Sequence, residues 1–344
     1  MKEIETAKAV GHVLCHDVTQ IIRGEKKGPA FRKGHVICQE DIPVLLSMGK
    51  DHIYVWEKKK GILHENEAAQ ILYDICKNEY MEPSEVKEGK IELRATADGL
   101  LKIRKDGMLA VNMLGEMMIA SRHDNTVVKK GDVLAGTRII PLVIEEEKMN
   151  RAREAAGTEP LLKLLPFQKK NVGIVTTGNE VFYGRIKDTF TPVVKEKIEE
   201  FGSSVTMESL VGDEKEKIRD EIVHMIGKGA QLVVCTGGMS VDPDDRTPGA
   251  IADTGARVVT YGAPVLPGAM LMIAYYKKED GSEIPVLGLP GCVMYAKRTI
   301  FDLVLPRVLA DDPVTKEEIA ALGVGGLCLN CKTCTFPNCG FGKA

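Results

Sequence analysis

The chain has 344 residues, which at about 100–200 residues per domain fits two or three domains. Hydrophobic residues make up 44% and charged residues 28%, with a formal net charge of −3. This composition excludes a mainly disordered or collagen-like chain and gives no support to a bulk nucleic-acid binder. The opening residues show no basic region followed by an apolar run, and no uninterrupted apolar stretch approaches the ~20 residues that span a bilayer. A cytoplasmic protein with no nucleic-acid and no membrane partner is therefore expected.

Residues 1–87 read as a mixed α+β region. His12-Val13-Leu14 is a short strand. Residues 41–49 form a short helix, with Asp41 as its N-cap, Pro43 in its first turn and Gly49 as its stop. Ile53-Tyr54-Val55-Trp56 is a strand, and residues 65–80 carry Ala68, Ala69, Ile71, Leu72 and Ile75 on one helical stripe. Residues 88–147 change character. Ile91-Glu92-Leu93-Arg94-Ala95 and Leu101-Lys102-Ile103-Arg104 alternate, and turn residues separate the runs, so a small β-rich module is expected. Met113, Leu114, Met117 and Met118 read as its packing residues.

Residues 165–312 alternate strand and helix. Val172 opens an apolar strand, and helices follow over 192–201 and 214–226. Residues 204–210 and 231–235 are strands, three short strands lie near 257–260, 270–274 and 284–287, and a last helix covers 294–309. Near-continuous apolar strands between amphipathic helices imply an α/β domain, a mostly parallel sheet covered on both faces.

Ligands of such sheets bind at the carboxyl ends of the strands. Four glycine-bearing segments stand there: Thr177-Gly178-Asn179-Glu180, Thr236-Gly237-Gly238-Met239-Ser240, Pro267-Gly268 and Gly288-Leu289-Pro290-Gly291. Each is ambiguous alone, but together they suit anion binding by exposed backbone N–H groups. Asp213-x-x-Glu216 fits a capping box. Asp242, Asp244 and Asp245 exceed what capping the next helix requires, and beside a phosphate cradle they suit Mg²⁺.

This ordered set resembles the molybdopterin-binding domain shared by the MoeA and MogA families of molybdenum-cofactor assembly. Thr177-Gly178-Asn179-Glu180-Val181 is similar to the TGDEL or TGNEL motif of the first loop. The segment from Gly184 to Asp188 and Thr189 resembles G-x-I-x-D-S/T, and Val211-Gly212-Asp213 resembles the V-x-D that follows. Thr236-Gly237-Gly238-Met239-Ser240-Val241 is close to TGGVSVG. Asp245-Arg246-Thr247-Pro248 resembles D-x-T-P, and the last two glycine segments resemble the PGKP and GLPGNP loops. Residues 34–49 are similar to the MoeA stretch just before that domain. A PFDRSAMDGYA-like signature and the fourth, β-barrel domain of MoeA are not found, and Cys292-Val293 stand where the last loop ends in Asn-Pro.

The resemblance implies a three-layer molybdopterin-binding-type fold. Thr177, Gly178, Asn179, Glu180, Asp188, Asp213, Thr236, Gly237, Gly238, Ser240, Pro267, Gly268, Gly288, Pro290 and Gly291 would hold the pterin. Asp242, Asp244 and Asp245 would act in catalysis with Mg²⁺. It also implies a homo-oligomer and a molybdoenzyme or other cofactor-assembly protein as partner.

Five of nine cysteines are scattered, and four crowd into residues 323–344: Cys328, Cys331, Cys334 and Cys339, spaced C-x₂-C-x₂-C-x₄-C. In a reducing compartment such spacing points to metal, either an iron–sulfur cluster or zinc. The segment reads as an extension outside the α/β core, so a chain ending at Asp312 is expected to stay folded. Three functions fit: a molybdopterin-binding protein that processes the cofactor, with molybdate insertion as its chemistry; a non-catalytic carrier or sensor; and a competence-damage-inducible-type nucleotide hydrolase.

Overall fold

The computed structural model describes residues 2–22, 26–55 and 60–343. Trp56, expected at the end of a strand, lies outside them. The chain divides into two compact units. One comprises residues 1–96, 103–122 and 130–163, and the other residues 97–102, 123–129 and 164–344.

Local pairing dominates the first unit. Lys2–Glu5 pairs antiparallel with His52–Val55, and Val18–Ile22 with Lys26–Phe31. A four-stranded antiparallel sheet orders Met81–Pro83, Lys90–Ala95, Val133–Ile139 and Met117–Ser121. Lys90–Ala95 buries Ile91, Leu93 and Ala95 on one face, as its alternation predicts. Met117 is buried, but Met113 is 76% exposed and does not pack as expected. The helix Asp41–Ser47 forms where it is predicted, with Asp41 inside it rather than before it. The helix Glu65–Cys76 starts at a capping box in which the buried His64 ring accepts from the Asn66 N–H and Glu67 accepts from the His64 N–H.

The second unit is built on a six-stranded sheet. Its strands are β1 (Asn171–Thr177), β2 (Ser204–Val211), β3 (Leu232–Thr236), β4 (Arg257–Tyr261), β5 (Met272–Lys277) and β6 (Glu283–Leu289), in spatial order β2-β1-β3-β6-β5-β4. Its helices are α1 (Phe190–Glu199), α2 (Lys215–Gly227), α3 (Thr247–Asp253), α4 (Ile300–Leu309) and α5 (Lys316–Ala321). Side chains alternate across the sheet. Val172, Ile174, Leu232 and Val234 pack with α1, α4 and α5, whereas Val175, Val233 and Cys235 pack with α2 and α3. The sheet is thus the middle of three layers, and burial of both faces explains its unbroken apolar strands.

The sheet is less parallel than expected. β1–β2, β1–β3 and β3–β6 are parallel, but β5 runs antiparallel to both neighbours. The cause is connection length. β5 and β6 are joined by a turn at 278–282, closed by the Lys278 N–H donating to the Ser282 carbonyl at 2.8 Å. Parallel strands need a crossover of a dozen or more residues.

The last helix also starts later than predicted. Gly291–Met294 is one 3₁₀ turn, and α4 begins at Ile300, where Thr299 and Asp302 form a capping box. The segment after Asp312 is part of the core, contrary to the expectation of an outlying extension. Val314, Ile319 and Phe341 are 2%, 3% and 5% exposed and join the cluster built on α4. The Val314 N–H donates to the Tyr275 hydroxyl at 2.9 Å, and the buried Arg307 guanidinium pairs with Asp312 and Glu318. Among the described residues, no helix is long and apolar enough to cross a membrane.

Candidate functional site

The carboxyl ends of β1, β3 and β6 share one edge of the sheet, and the loops that leave them meet there. The tightest junction is at Gly237, directly after β3. Its φ is +85°, and a Cβ would lie 2.2 Å from the Thr177 carbonyl oxygen, so only glycine lets this loop cross the end of β1. Beneath it runs a chain of buried hydroxyls. Thr236 Oγ1 donates to Thr176 Oγ1 at 3.3 Å, Thr176 and Thr191 are 2.8 Å apart, and Thr177 and Thr247 3.0 Å. These bonds satisfy hydroxyls that would be costly to bury alone, and they tie both loops to the starts of α1 and α3. Thr177 and Thr236 therefore lie in the floor, not on the surface.

Above that floor, the Tyr261 hydroxyl reaches the Met239 carbonyl oxygen at 3.0 Å and that of Ser240 at 3.2 Å. Burial, and secondly the nearby Asp245 carboxylate, push the Tyr261 phenol upward, so it stays a donor. The backbone N–H groups of Gly238, Met239 and Ser240 donate to no acceptor among the described residues. Such successive free N–H groups form a concavity suited to an anion.

An open cleft of about 490 Å³ lies over this loop. Of the sequence-predicted residues, Gly237, Gly238, Ser240, Asp245, Pro290 and Gly291 line it. Sequence reasoning missed the apolar wall of Met239, Met270, Leu289, Met294 and Tyr295, together with Cys292. Met239 and Leu289 sit inside quoted motifs without being singled out there, and the spatial meeting of the loops selects Met270, Met294 and Tyr295. Burial pushes the Cys292 thiol up, away from the thiolate. No Lys or Arg is among the described residues lining the cleft.

The remaining predicted residues lie elsewhere. Asp242 and Asp244 are exposed and outside the cleft lining. Asp242 and Asp245 close one turn: the Asp242 N–H donates to Asp245 Oδ2 and the Asp245 N–H to the Asp242 carbonyl, both at 2.9 Å. Asp188 Oδ1 accepts from the N–H groups of Phe190 and Thr191, at 2.8 and 3.1 Å, so this carboxylate caps α1.

Asp213 does not form the expected capping box. α2 is preceded by Glu214 without a side-chain cap, and Asp213 Oδ2 instead accepts the Asn179 N–H at 2.9 Å, stitching the loop after β1 to the loop after β2. Asn179 belongs to a neighbouring groove of about 550 Å³ with Phe182, Tyr183 and Gly212. Glu180 is exposed, and Gly178 and Gly288 are buried. Gly268, at φ +127°, approaches Ile300 so closely that a Cβ would sit 2.4 Å from its Cγ2.

Pro267 lies beside the cysteine segment, and Cys328, Cys331 and Cys334 line the same small cavity with it. All four tail cysteines line a second cavity of about 250 Å³. They are free thiols, Cys331 and Cys334 exposed, Cys328 and Cys339 partly buried. Among the described residues, no three His, Cys, Asp or Glu side chains converge closely enough to hold a single metal ion.

A family model described as "Probable molybdopterin binding domain" matches residues 173–310, and one described as a domain of unknown function (DUF8806) matches residues 3–57. The chain is 26% identical over 164 residues to the molybdopterin molybdenumtransferase of Synechococcus elongatus, covering 45% of this chain and 38% of that protein. It is 35% identical over 81 residues to a CinA-like protein of Anaeromyxobacter dehalogenans, covering 24% of this chain and 20% of that one. Among solved structures, the tungsten cofactor synthesizing protein MoaB of Pyrococcus furiosus is 19% identical with a TM-score of 0.34, covering 40% of this chain and 90% of that chain. The matches thus span about two-fifths or less of the length of these two curated relatives. Residues 173–310 thus form a domain that matches the probable molybdopterin-binding family.

Proposed function

We propose that the cleft over Gly237–Ser240 binds molybdopterin or its adenylylated form, and that the protein acts there in molybdenum cofactor biosynthesis. The observation that carries this reading is the meeting, in one cleft, of three unbonded backbone N–H groups with an apolar wall from Met239 to Tyr295. The N–H groups of Gly238, Met239 and Ser240 receive the phosphate. With no cationic side chain among the described lining residues, anion recognition falls to the backbone. The pterin ring lies against Met294 and Tyr295. Asp245, a carboxylate in the cleft lining, would hold Mg²⁺, which takes one or two carboxylates and completes its shell with phosphate and water. Molybdate insertion is the chemistry such an arrangement serves, through charge stabilisation and positioning.

Isothermal titration of the full chain with molybdopterin, with and without Mg²⁺, tests this. Saturable binding that Mg²⁺ tightens is expected, and Asp245→Asn should remove the Mg²⁺ effect while sparing metal-free binding. No binding to folded protein would sink the reading. A nucleotide hydrolase is a second reading, favoured by the likeness to the CinA-like protein. Turnover of ADP-ribose without pterin binding would select it.

A further inference from the structure

The cysteine segment is folded, and its fold surrounds a space. The ladder that positions it is short: the Leu266 N–H donates to the Gly326 carbonyl at 2.9 Å and the Cys328 N–H to the Leu266 carbonyl at 2.8 Å. Gly326 fits there only as glycine, because a Cβ would lie 2.3 Å from the Leu322 carbonyl and 2.5 Å from that of Pro264. The Gly342 N–H closes the far end on the Gly325 carbonyl at 3.0 Å. Between these ties, Lys297 Nζ donates to the carbonyls of Cys331 and Lys332, at 3.2 and 2.9 Å. The chain from 325 to 342 is thus a closed loop with its ends fixed on the α/β core.

Cys328, Cys331, Cys334 and Cys339 all line the cavity of about 250 Å³ in this loop. Its walls are largely apolar, with Leu327, Phe336 and Phe341 among them, and Phe341 is rooted in the core. Arg298 stands at its edge, its guanidinium 5.0 Å from the Phe336 ring and bonded to Asp302 at 2.8 Å.

The arrangement distinguishes two metal chemistries. A single tetrahedral zinc at Zn–S of about 2.3 Å needs its four sulfurs within about 4 Å of one another. Here all four cysteines line one cavity of about 250 Å³, and among the described residues no three of them converge on a single ion. Four cysteine thiolates, an apolar wall and an adjacent fixed cation are the surroundings of a cluster whose total charge is negative.

We propose that Cys328, Cys331, Cys334 and Cys339 ligate a [4Fe–4S] cluster in this cavity. The chain takes the cluster by ligand exchange. Each cysteine thiol gives up its proton as its sulfur bonds to an iron, and each small thiolate leaving that iron takes up one proton. No electron is transferred. The site stands independently of pterin binding, although Tyr295 lines both the pterin cleft and the cavity that holds Cys328, Cys331 and Cys334.

The test incubates the full chain, without oxygen, with a preformed [4Fe–4S] cluster carrying four small-molecule thiolates, and then desalts it. About four irons and four sulfides per chain should remain, with broad sulfur-to-iron charge-transfer absorbance. The double variant Cys331→Ser/Cys334→Ser should lose at least nine-tenths of that iron. Both side chains are exposed, so its thermal unfolding midpoint in the cluster-free state should match the parent. Cys38→Ser, an exposed cysteine of the other unit, should keep all the iron. Iron retained equally by the double variant, no iron retained by the parent, or one zinc per chain that blocks cluster uptake would each overturn the proposal. A chain that binds the cluster but no pterin would overturn only the function proposed above.

Discussion

Gly237 and Gly291 read alike in the sequence, as loop glycines after buried strands, but the structure gives them different physics. At Gly237 the backbone lies at φ +85° and a methyl group would strike the Thr177 carbonyl, whereas at Gly291 a Cβ meets nothing within 4 Å. Gly237→Ala combines a left-handed backbone with a clash against main chain that cannot move without opening β1. It is expected to cost about 2–4 kcal/mol. Gly291→Ala should stay within about 0.5 kcal/mol of the parent. Urea unfolding midpoints measure both, and equal midpoints would show that the loop after β3 relaxes freely. Asp213 and Asp188 teach the same lesson in exchange. Asp213 carries the capping spacing and stitches two loops instead, while Asp188, placed with the ligand loops, performs the capping.

At the scale of elements, the sequence is most legible where burial is two-sided. β1 and β3 are unbroken apolar runs, because helices cover both faces of the sheet, and they appear where expected. Legibility fails where tertiary context decides. The antiparallel course of β5 against β6 follows from the short turn at 278–282 that joins them, not from its own residues. The late start of α4 follows from Thr299 and Asp302, a T-x-x-D signal that the sequence did carry. Of the cleft's apolar wall, Met239 and Leu289 lie inside quoted motifs, but Met270, Met294 and Tyr295 have no sequence signature.

Asp302 is the element-scale hinge of stability. Its side chain is 4% exposed, Oδ2 accepts the Thr299 N–H at 2.7 Å, and Oδ1 pairs with Lys197 at 2.6 Å and Arg298 at 2.8 Å. Asp302→Ala removes the cap and leaves Lys197, 12% exposed, without its carboxylate. A loss of about 3–5 kcal/mol is expected. Asp302→Asn keeps an acceptor for the cap and should lose less. Denaturant unfolding of the two variants decides the matter, and an alanine variant within 1 kcal/mol of the parent, a figure well below the ~3 expected for a broken buried pair, would show that the network contributes little.

On the scale of the whole chain, the boundary of the α/β unit is wider than its motifs. Sequence motifs end near Gly291, but the hydrophobic cluster runs on through Val314 and Ile319 to Phe341. Stretches 97–102 and 123–129 also belong to this unit, with Lys102 Nζ bonded to Asp312 at 2.9 Å. The reason is geometric. α4 is buried on almost every side, with Ile300, Phe301, Val304, Leu305, Val308 and Leu309 all below 5% exposure, so the sheet alone cannot cover it. The chain after Asp312 supplies the outer cover, and Glu318 completes the pairing of the buried Arg307. Ending the chain at Asp312 therefore uncovers α4 and leaves Arg307 half-paired. Three buried side chains at about 1.5–3 kcal/mol each are lost, together with the ion pair. The total is of the order of a domain's whole net stability, about 5–15 kcal/mol. The truncated chain is expected to lose its cooperative transition in the α/β unit, and Phe341→Ala alone should cost about 3–5 kcal/mol. Urea unfolding followed by hydrogen exchange at β1 and β3 measures both. Full protection of those strands in the truncated chain would show that the segment beyond Asp312 merely rests on a core complete without it.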